Sequence, residues 1–288
     1  MRVISLASGS SGNALLVEAG PRGRTKLLVD VGISMRTLIG RLLKIGVAPE
    51  QLCGILVTHE HSDHVAGLPS FIRRYSVPVY VDPRTYEHID KRATYSARDI
   101  NPEEATVIPE IIALKVGTTR MIGDIEVTSF PVSHDAVAPC GFLLHAGGCR
   151  VCVITDSGEV TSDMLSMMGQ ADLLVLEANH DRERLLRGPY PRRLKARILS
   201  STGHLSNMQA AEAVLKTWRS DGLRWLWLAH LSKTNNTPAL ALESIRDSIQ
   251  EAGANPTNLH ISVSPPGMGG VWDSTQLWSA RSLWEMSF

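Results

Sequence analysis

The chain has 288 residues, of which 43% are hydrophobic, and its 29 Lys and Arg residues balance its 29 Asp and Glu residues. A chain of this length can bury a substantial core, as one large α/β domain or as two small ones. A net charge of zero excludes a strong overall field, so a nucleic acid or a membrane would have to be recognised by a local patch. No apolar run approaches the roughly 20 residues of a membrane span, and Met1–Ala7 is too short for a secretory signal core. We expect a soluble cytoplasmic protein with no membrane partner.

Apolar runs and turn residues predict the secondary structure in chain order. Predicted strands cover residues 3–6, 14–18, 26–30, 53–58, 77–81, 125–132, 141–145, 150–155, 172–176, 223–229 and 258–263. Residues 95–120 are ambiguous, with strand-like pieces at 106–108 and 111–116. Predicted helices cover residues 34–45, 65–75, 83–92, 161–168, 207–218 and 238–252, and Leu43 is expected near the apolar face of the first. Strands that alternate with helices indicate an α/β fold. Because no linker divides the chain, we expect one domain over residues 1–288.

The first turn, Ser8–Asn13, is rich in glycine and serine. Such a turn can present backbone N–H groups to a phosphate, or it can be a plain hairpin loop. The sequence leaves both interpretations open.

The chain has four cysteines, which are consistent with a reducing compartment. Cys149 and Cys152 form a C-x-x-C pattern, but they lie in a predicted strand. Residues three apart on a strand point to opposite faces. We therefore predict that these two side chains pack in the core and share neither a metal ion nor a disulfide.

The densest cluster of chemically active residues is Thr58-His59-Glu60-His61-Ser62-Asp63-His64, directly after the apolar run 54–57. In an extended segment His59, His61 and Asp63 point to one side, and the following turn can bring His64 round to them. Neutral imidazoles and a carboxylate are ligands of Zn²⁺ and similar ions. A solvated polar turn is the alternative, but three histidines and an aspartate in six positions favour a metal site.

Acidic residues or histidines also follow other predicted strands. Loops at strand ends are where α/β scaffolds place their chemistry. A lone histidine such as His88 or His145 is by default a surface or core residue, but this repeated position favours a shared site. The residues at strand ends are Asp30, His59 to His64, His134, Asp156, Glu177 to Asp181, and His230.

Residues 182–197 form a basic stretch in which seven cations stand against one acid, Glu183. Its cations are Arg182, Arg184, Arg187, Arg192, Arg193, Lys195 and Arg197. A charged run is often only a solvated face. This one lies between Glu177 and His204, both candidate site residues, and phosphodiester binding needs cations near the reacting centre.

The T-H-x-H-x-D-H motif resembles the signature of the metallo-β-lactamase-fold hydrolases. The resemblance implies an αββα four-layer sandwich with two mixed sheets flanked by helices. It also implies two divalent ions, Zn²⁺ or Mn²⁺, and a bridging hydroxide, because metal lowers the pKa of bound water. The implied ligands are His59, His61 and His134 for the first ion, Asp63, His64 and His230 for the second, and Asp156 as the bridge. Asp30 matches an acid that positions the ligand loop.

Five further strings resemble the YycJ/WalJ subgroup of these hydrolases: A-S-G-S-S-G-N-A (7–14), L-E-A-N-H-D (176–181), G-P-Y-P-R-R-L-K-A-R-I-L-S (188–200), G-H-L-S-N (203–207) and H-L-S-K-T-N-N (230–236). This resemblance implies a 5′-to-3′ exodeoxyribonuclease connected with mismatch repair, whose partner is DNA rather than RNA. The subgroup usually has Ser where this chain has Ala178. The tail with Trp272, Trp278 and Trp284 resembles nothing in it.

The resemblance also assigns roles to individual residues. Glu177 and His204 resemble the pair that helps to protonate the leaving oxygen in tRNase Z-like enzymes, and Asp63 joins them as a catalytic residue. The alternative for His204 is a helix-capping loop in which it only forms hydrogen bonds. Eight residues in the five strings are predicted to bind substrate: Ser10, Asn13, Asn179, His180, Arg192, Arg193, Lys195 and Asn235.

Other functions remain open at this stage because the fold also serves other chemistries. An ester, thioester or lactone hydrolase would leave the basic stretch without a role. An RNA-processing nuclease would use the same metal ligands. A non-catalytic metal-binding regulator would be expected to have a broken ligand set, and none of the seven implied ligands is missing. The sequence favours a nuclease.

Overall fold

The computed structural model describes residues 1–96, 110–219 and 222–277, and within it fourteen strands form two sheets of seven. In the order of pairing, the first sheet contains β14 (Val271–Asp273), β1 (Arg2–Ala7), β2 (Ala14–Ala19), β3 (Thr25–Val29), β4 (Gly54–Leu56), β5 (Val79–Val81) and β6 (Ile111–Ala113). The second contains β13 (Leu259–Val263), β12 (Arg224–Ala229), β11 (Leu173–Glu177), β10 (Cys149–Ile154), β9 (Cys140–Ala146), β8 (Ile125–Pro131) and β7 (Thr119–Ile122). The strand-like piece predicted at 106–108, Trp278 and Trp284 lie outside the described residues.

Three hydrophobic clusters define four layers. The central cluster joins the facing sides of the two sheets, with Val17 and Val29 from one and Phe142 and Val175 from the other. The remaining clusters cover the outer sheet faces with helices. Strands buried on both faces explain why most of the chain's strands read as continuous apolar runs. The predicted αββα sandwich with two mixed sheets is confirmed.

The structure describes nine α-helices, and five of them begin within one residue of a predicted helix. They are α1 (Met35–Lys44), α2 (Ser62–Val65), α3 (Leu68–Arg74), α4 (Pro83–Ser96), α5 (Ser162–Met168), α6 (Arg182–Arg187), α7 (Arg192–Ile198), α8 (Asn207–Lys216) and α9 (Pro238–Glu251). Ser34 caps α1 by accepting a hydrogen bond from Thr37 N, and Ser206 and Gln209 form a capping box at α8. In the described part of the chain, no helix is long and apolar enough to cross a membrane.

Some local predictions were wrong. The helix predicted over 65–75 is interrupted, because Gly67 N donates to Val31 O at 2.9 Å and not to a carbonyl of the same helix, so α2 and α3 are separate. Leu43, placed on the apolar face by the helical pattern, is 58% exposed. The elements β7, β14, α6 and α7 were not predicted. β7 is an edge strand with three exposed residues out of four, so it lacks the expected alternation.

The two cysteines of the C-x-x-C pattern point in opposite directions, as predicted. Cys149 belongs to the cluster between the sheets, whereas Cys152 belongs to the cluster under the outer helices. All four cysteines are free thiols.

Parallel strands determine where the site lies. β3 and β4 are parallel in the first sheet, and β10, β11 and β12 are parallel in the second. Because parallel strands end at the same edge of a sheet, the residues after these strands gather at one end of the sandwich.

Candidate metal centre

The first predicted ligand set consists of His59, His61 and His134. Their candidate ligand atoms lie within 4.8 Å of one another, and His61 Nδ1 is 3.2 Å from His134 Nε2. In two of these histidines the second ring nitrogen is anchored by a polar contact. His59 Nδ1 contacts Thr58 Oγ1 at 3.0 Å, and His134 Nδ1 contacts Gly203 O at 2.9 Å. Anchoring one nitrogen while the other faces a shared point is how metal-binding imidazoles are oriented.

The second predicted set consists of Asp63, His64 and His230. Asp63 Oδ2 lies 3.7 Å from His64 Nε2 and 3.4 Å from His230 Nε2. Asp156 lies between the two sets, because its oxygens are 2.8 Å from His64 Nε2, 3.0 Å from His230 Nδ1 and 3.8 Å from His134 Nε2. The structure thus brings all seven predicted ligands together, with Asp156 in a position to touch both sets.

The polar atoms of this cluster fit a bound cation better than they fit one another. His59 Nε2 is buried without a hydrogen-bond partner, and the short contacts of Asp156 Oδ2 and of the buried His230 ring nitrogens with neighbouring side chains lack hydrogen-bond geometry. A buried polar atom without a partner costs about 1–3 kcal/mol, so three such side chains in one place are unfavourable unless they share a ligand. Imidazole nitrogens with carboxylate oxygens suit Zn²⁺ and Mn²⁺. The residues present therefore fit divalent metal ions.

Asp30 holds the ligand loop in place. Its Oδ1 accepts a hydrogen bond from Thr58 N at 2.9 Å, and its Oδ2 accepts one from Thr58 Oγ1 at 2.8 Å and contacts His64 Nδ1 at 2.7 Å. Burial lowers the pKa of His64, but the carboxylates of Asp156 and Asp30 outweigh burial and raise it to about 10. One carboxylate thus fixes both the backbone at the start of the motif and the ring of a predicted ligand.

Three residues of the site have a left-handed backbone. Asp30, Asp156 and His230 have φ angles of 63°, 62° and 54°. Each follows a strand by one or two residues, so the left-handed turn directs its side chain inwards from the strand end. Non-glycine residues in this conformation are concentrated at functional sites.

His204 and Glu177 form a pair beside the ligands. His204 Nδ1 is 2.7 Å from Glu177 Oε1 and 3.3 Å from Asp156 Oδ1. Glu177 Oε2 accepts hydrogen bonds from Ser157 N at 2.9 Å and Leu205 N at 3.0 Å. The Glu177 side chain is fully buried whereas that of His204 is 20% exposed. Glu177 therefore reaches a substrate only through His204, which it orients.

The charges of this pair support each other. Burial raises the pKa of Glu177, but the neighbouring His204 outweighs burial and lowers it to about 2. Burial lowers the pKa of His204, but the carboxylates of Glu177 and Asp156 outweigh burial and raise it above its ordinary value. Each group of the pair thus stabilises the charged form of the other.

The comparisons with known proteins identify the family. A family model described as "Beta-lactamase superfamily domain" matches residues 25–220. The chain belongs to this superfamily. Exodeoxyribonuclease WalJ of Streptococcus pneumoniae serotype 2 is 38% identical over 247 residues, which cover 86% of this chain and 87% of that protein. Exodeoxyribonuclease YycJ of Bacillus anthracis is 38% identical over 248 residues, covering 86% and 89%.

A solved structure with the same fold is Zn(2+)-bound PqqB from Methylobacterium extorquens, with a TM-score of 0.66 at 17% identity, covering 95% of this chain and 100% of that chain. At this identity the likeness shows the fold alone. The resemblance read from the sequence motifs is confirmed, and the metallo-β-lactamase fold implies divalent metal binding by this superfamily member.

Most of the predicted substrate-binding residues are not placed to touch a substrate. Asn13, Asn179, His180 and Asn235 are at most 5% exposed. Asn179 Nδ2 donates to His230 O at 3.0 Å, so this side chain supports the ligand loop. These four predictions rested on strings shared with the subgroup, and such strings do not distinguish residues that support the site from residues that contact its ligand.

The first turn belongs to the supporting structure as well. Gly9 N donates to Asn13 Oδ1, Gly12 N to Gly9 O and Asn13 N to Asp63 O. These three N–H groups are unavailable to a phosphate, which favours the plain hairpin loop. Ser10, at the tip of the turn, is exposed.

In the basic stretch, Lys195 Nζ donates to Leu186 O at 2.6 Å and Gly188 O at 2.7 Å. It therefore closes the end of α6 rather than facing a ligand. Arg192 and Arg193 are exposed. Of the predicted substrate-binding residues, these two and Ser10 remain available at the surface.

Two residues next to the ligands, Asp135 and Arg197, were not predicted as site residues. Arg197 Nε is 2.5 Å from Asp135 Oδ2, and Asp135 Oδ1 is 3.4 Å from His134 Nε2. A signal for Asp135 was present, because it directly follows His134. No signal distinguished Arg197 from the six other cations of its stretch.

Proposed function

We propose that this superfamily member is an exodeoxyribonuclease that hydrolyses DNA phosphodiesters with 5′-to-3′ polarity, and that its place in the cell is mismatch repair. The observation that carries the proposal is 38% identity to two exodeoxyribonucleases over 86% of the chain. The gathered ligand sets support the same chemistry. Divalent ions held there, Zn²⁺ or Mn²⁺, would activate water and polarise the phosphodiester.

The protein's own groups have separable roles in this proposal. His204, oriented by Glu177, donates a proton to the leaving oxygen, because its ring is partly exposed beside both ligand sets. Of the two carboxylates among the predicted ligands, Asp63 is the more exposed, with 22% side-chain exposure against 3% for Asp156. Asp63 is therefore the acid best placed to accept a hydrogen bond from the attacking water and orient it.

The DNA backbone is bound in this proposal by the exposed cations Arg192 and Arg193 at the start of α7. No hydrogen bond or ion pair within the described part of the chain occupies either side chain. Cations that neutralise phosphates release counterions, so the affinity for DNA is expected to fall steeply with salt.

The test uses end-labelled substrates. The protein is stripped of metal, reloaded with Mn²⁺ or Zn²⁺, and mixed with single-stranded and double-stranded DNA that is labelled at the 5′ or the 3′ end. A 5′-to-3′ exonuclease releases the 5′ label as the first small product and shortens 3′-labelled DNA gradually. Cleavage of matched RNA but not of DNA would overturn the substrate, and hydrolysis of thioesters or lactones without any nuclease activity would overturn the class.

A further inference from the structure

The Asp135–Arg197 ion pair lies directly beside the first ligand set. Arg197 Nε is 2.5 Å and Arg197 Nη2 is 3.1 Å from the two oxygens of Asp135. Asp135 Oδ1 is in turn 3.4 Å from His134 Nε2 and 3.9 Å from His61 Nε2. The last turn of α7 is thereby joined to the ligands through a two-pronged contact.

The backbone around this pair is held in the same way. Ser133 Oγ donates to Ser201 O at 2.8 Å, and Asp135 N donates to Thr202 O at 3.0 Å. The loop that carries His134 and the loop after α7 therefore form one unit, and Arg197 has a defined position relative to the ligands.

The Arg197 guanidinium has hydrogen-bond donors that Asp135 does not occupy. A guanidinium has five N–H groups in a planar fork, and Asp135 occupies only Nε and one position on Nη2. Within the described residues, no acceptor contacts Nη1, and the side chain is 55% exposed. The hydrogen bond from Arg197 to Asp135 raises the pKa of Arg197 despite burial, and the charges of Asp135, Asp63 and Asp156 raise it further.

The other paired cations of the basic stretch are directed elsewhere. Arg184 Nε donates to Thr234 O, Arg187 pairs with Glu183, and the Lys195 ammonium closes α6. Among the described residues of the stretch, Arg197 is the cation whose contacts lead to the ligand sets, through Asp135.

We propose that Arg197 binds the scissile phosphodiester at the metal centre, and that Asp135 is a positioning residue that holds the guanidinium there. This inference rests on the proposed phosphodiesterase function. A planar fork matches two phosphate oxygens, and a fixed donor is most effective where charge develops in the transition state. Arg197 thus acts on turnover, whereas Arg192 and Arg193 act on the capture of the DNA strand.

The test measures kcat, KM and metal content for R197A, R197K, D135N and the double variant R197A/D135N. R197A is expected to lose about 10²–10³-fold in kcat, as when one transition-state donor is removed, with unchanged metal content. R197K should remain impaired because an ammonium lacks the fork, and added guanidinium ion should restore part of the R197A activity. R246A, which removes an exposed arginine from α9, is the matched control and should keep wild-type kinetics.

The double variant separates positioning from metal binding. If Asp135 acts only through Arg197, D135N lowers kcat in the wild-type background and has no further effect in the R197A background. Loss of metal on D135N in both backgrounds would instead make Asp135 a ligand and overturn its assigned role. Wild-type kcat in R197A would overturn the phosphate contact.

Each variant is measured on DNA and on bis(p-nitrophenyl) phosphate, which presents a phosphodiester without a nucleic acid. The R197A loss is expected on both substrates, because the contact is to the diester itself. A wild-type protein that cleaves only the small diester would refute the DNA substrate, while the R197A comparison on that diester would still decide the role of Arg197.

Discussion

Replacing His204 with alanine tests the proposed proton donor. His204 Nδ1 is held by Glu177 Oε1 at 2.7 Å, and the ring is partly exposed beside the ligands. An alkoxide that leaves from a phosphodiester is strongly basic, so its protonation in the transition state contributes typically about 10²–10⁴-fold. H204A is therefore expected to lose about 3–5 kcal/mol of transition-state stabilisation.

The same change should leave the rest of the site in place. Glu177 Oε2 keeps its hydrogen bonds from Ser157 N and Leu205 N when the imidazole is removed. His204 is not one of the seven predicted ligands. The variant is therefore expected to retain its metal content and its affinity for DNA, measured by elemental analysis and by binding under conditions that prevent turnover.

Two substrates distinguish proton donation from other roles of His204. On DNA the leaving oxygen needs a proton, whereas p-nitrophenolate leaves from bis(p-nitrophenyl) phosphate with little assistance. The kcat of H204A should fall about 10²–10⁴-fold on DNA and far less on the activated diester. Equal losses on the two substrates would refute the reasoning and leave His204 with a structural or substrate-positioning role.

Three further predictions follow from the site. The metal-loaded protein should contain close to two equivalents of divalent ion, and D156A should reduce both equivalents because Asp156 contacts both ligand sets. D30N should weaken metal binding about 10–100-fold, since it disturbs the hydrogen bonds to Thr58 and the contact with His64. R192E/R193E should weaken DNA binding and flatten its salt dependence without changing metal content.

Each of these predictions has its own control. Elemental analysis that finds one ion or none after full loading would rule out two sites, and D156A that loses only one ion would remove Asp156 as the bridge. For the D30N variant, an unchanged metal dissociation constant would show that the ligand loop does not depend on Asp30. K216E/R246E carries the same charge change on exposed positions of α8 and α9, and it should bind DNA as the wild type does. If both double variants weakened DNA binding equally, the effect would come from net charge and not from the positions of Arg192 and Arg193.

The sequence was most informative for the metal ligands, whose residue types are characteristic of metal binding. Three histidines and an aspartate within six positions have few structural explanations, and the parallel strands then place the predicted ligands at one edge. It was least informative for polar residues that support others. Asn179 and Asn235 lie in strings as recognisable as those of the ligands, yet both are buried. Whether an amide side chain faces a substrate or a neighbouring loop depends on tertiary contacts between distant segments, which a local sequence pattern does not encode.

The same limit applies to the basic stretch. Seven cations in sixteen positions predict a charged surface, but the contacts of each one depend on the turn between α6 and α7. In the folded chain Lys195 closes a helix end and Arg197 reaches Asp135. The overall charge of the stretch was therefore predictable, whereas the assignment of its members to structure or to substrate was not.

Three residues of the site adopt a backbone conformation that destabilises the fold locally. Asp30, Asp156 and His230 adopt left-handed φ angles, each at a cost of order 1–3 kcal/mol. Glycine at any of these positions would relieve the backbone but would remove a side chain on which the ligand sets depend. The hydrogen bonds of Asp30 to Thr58 offset part of that cost in the protein itself. Asp156 and His230 contact each other but lack well-formed hydrogen bonds at Asp156 Oδ2 and at both His230 ring nitrogens, so bound cations are expected to stabilise these strand ends as well as to supply their chemistry.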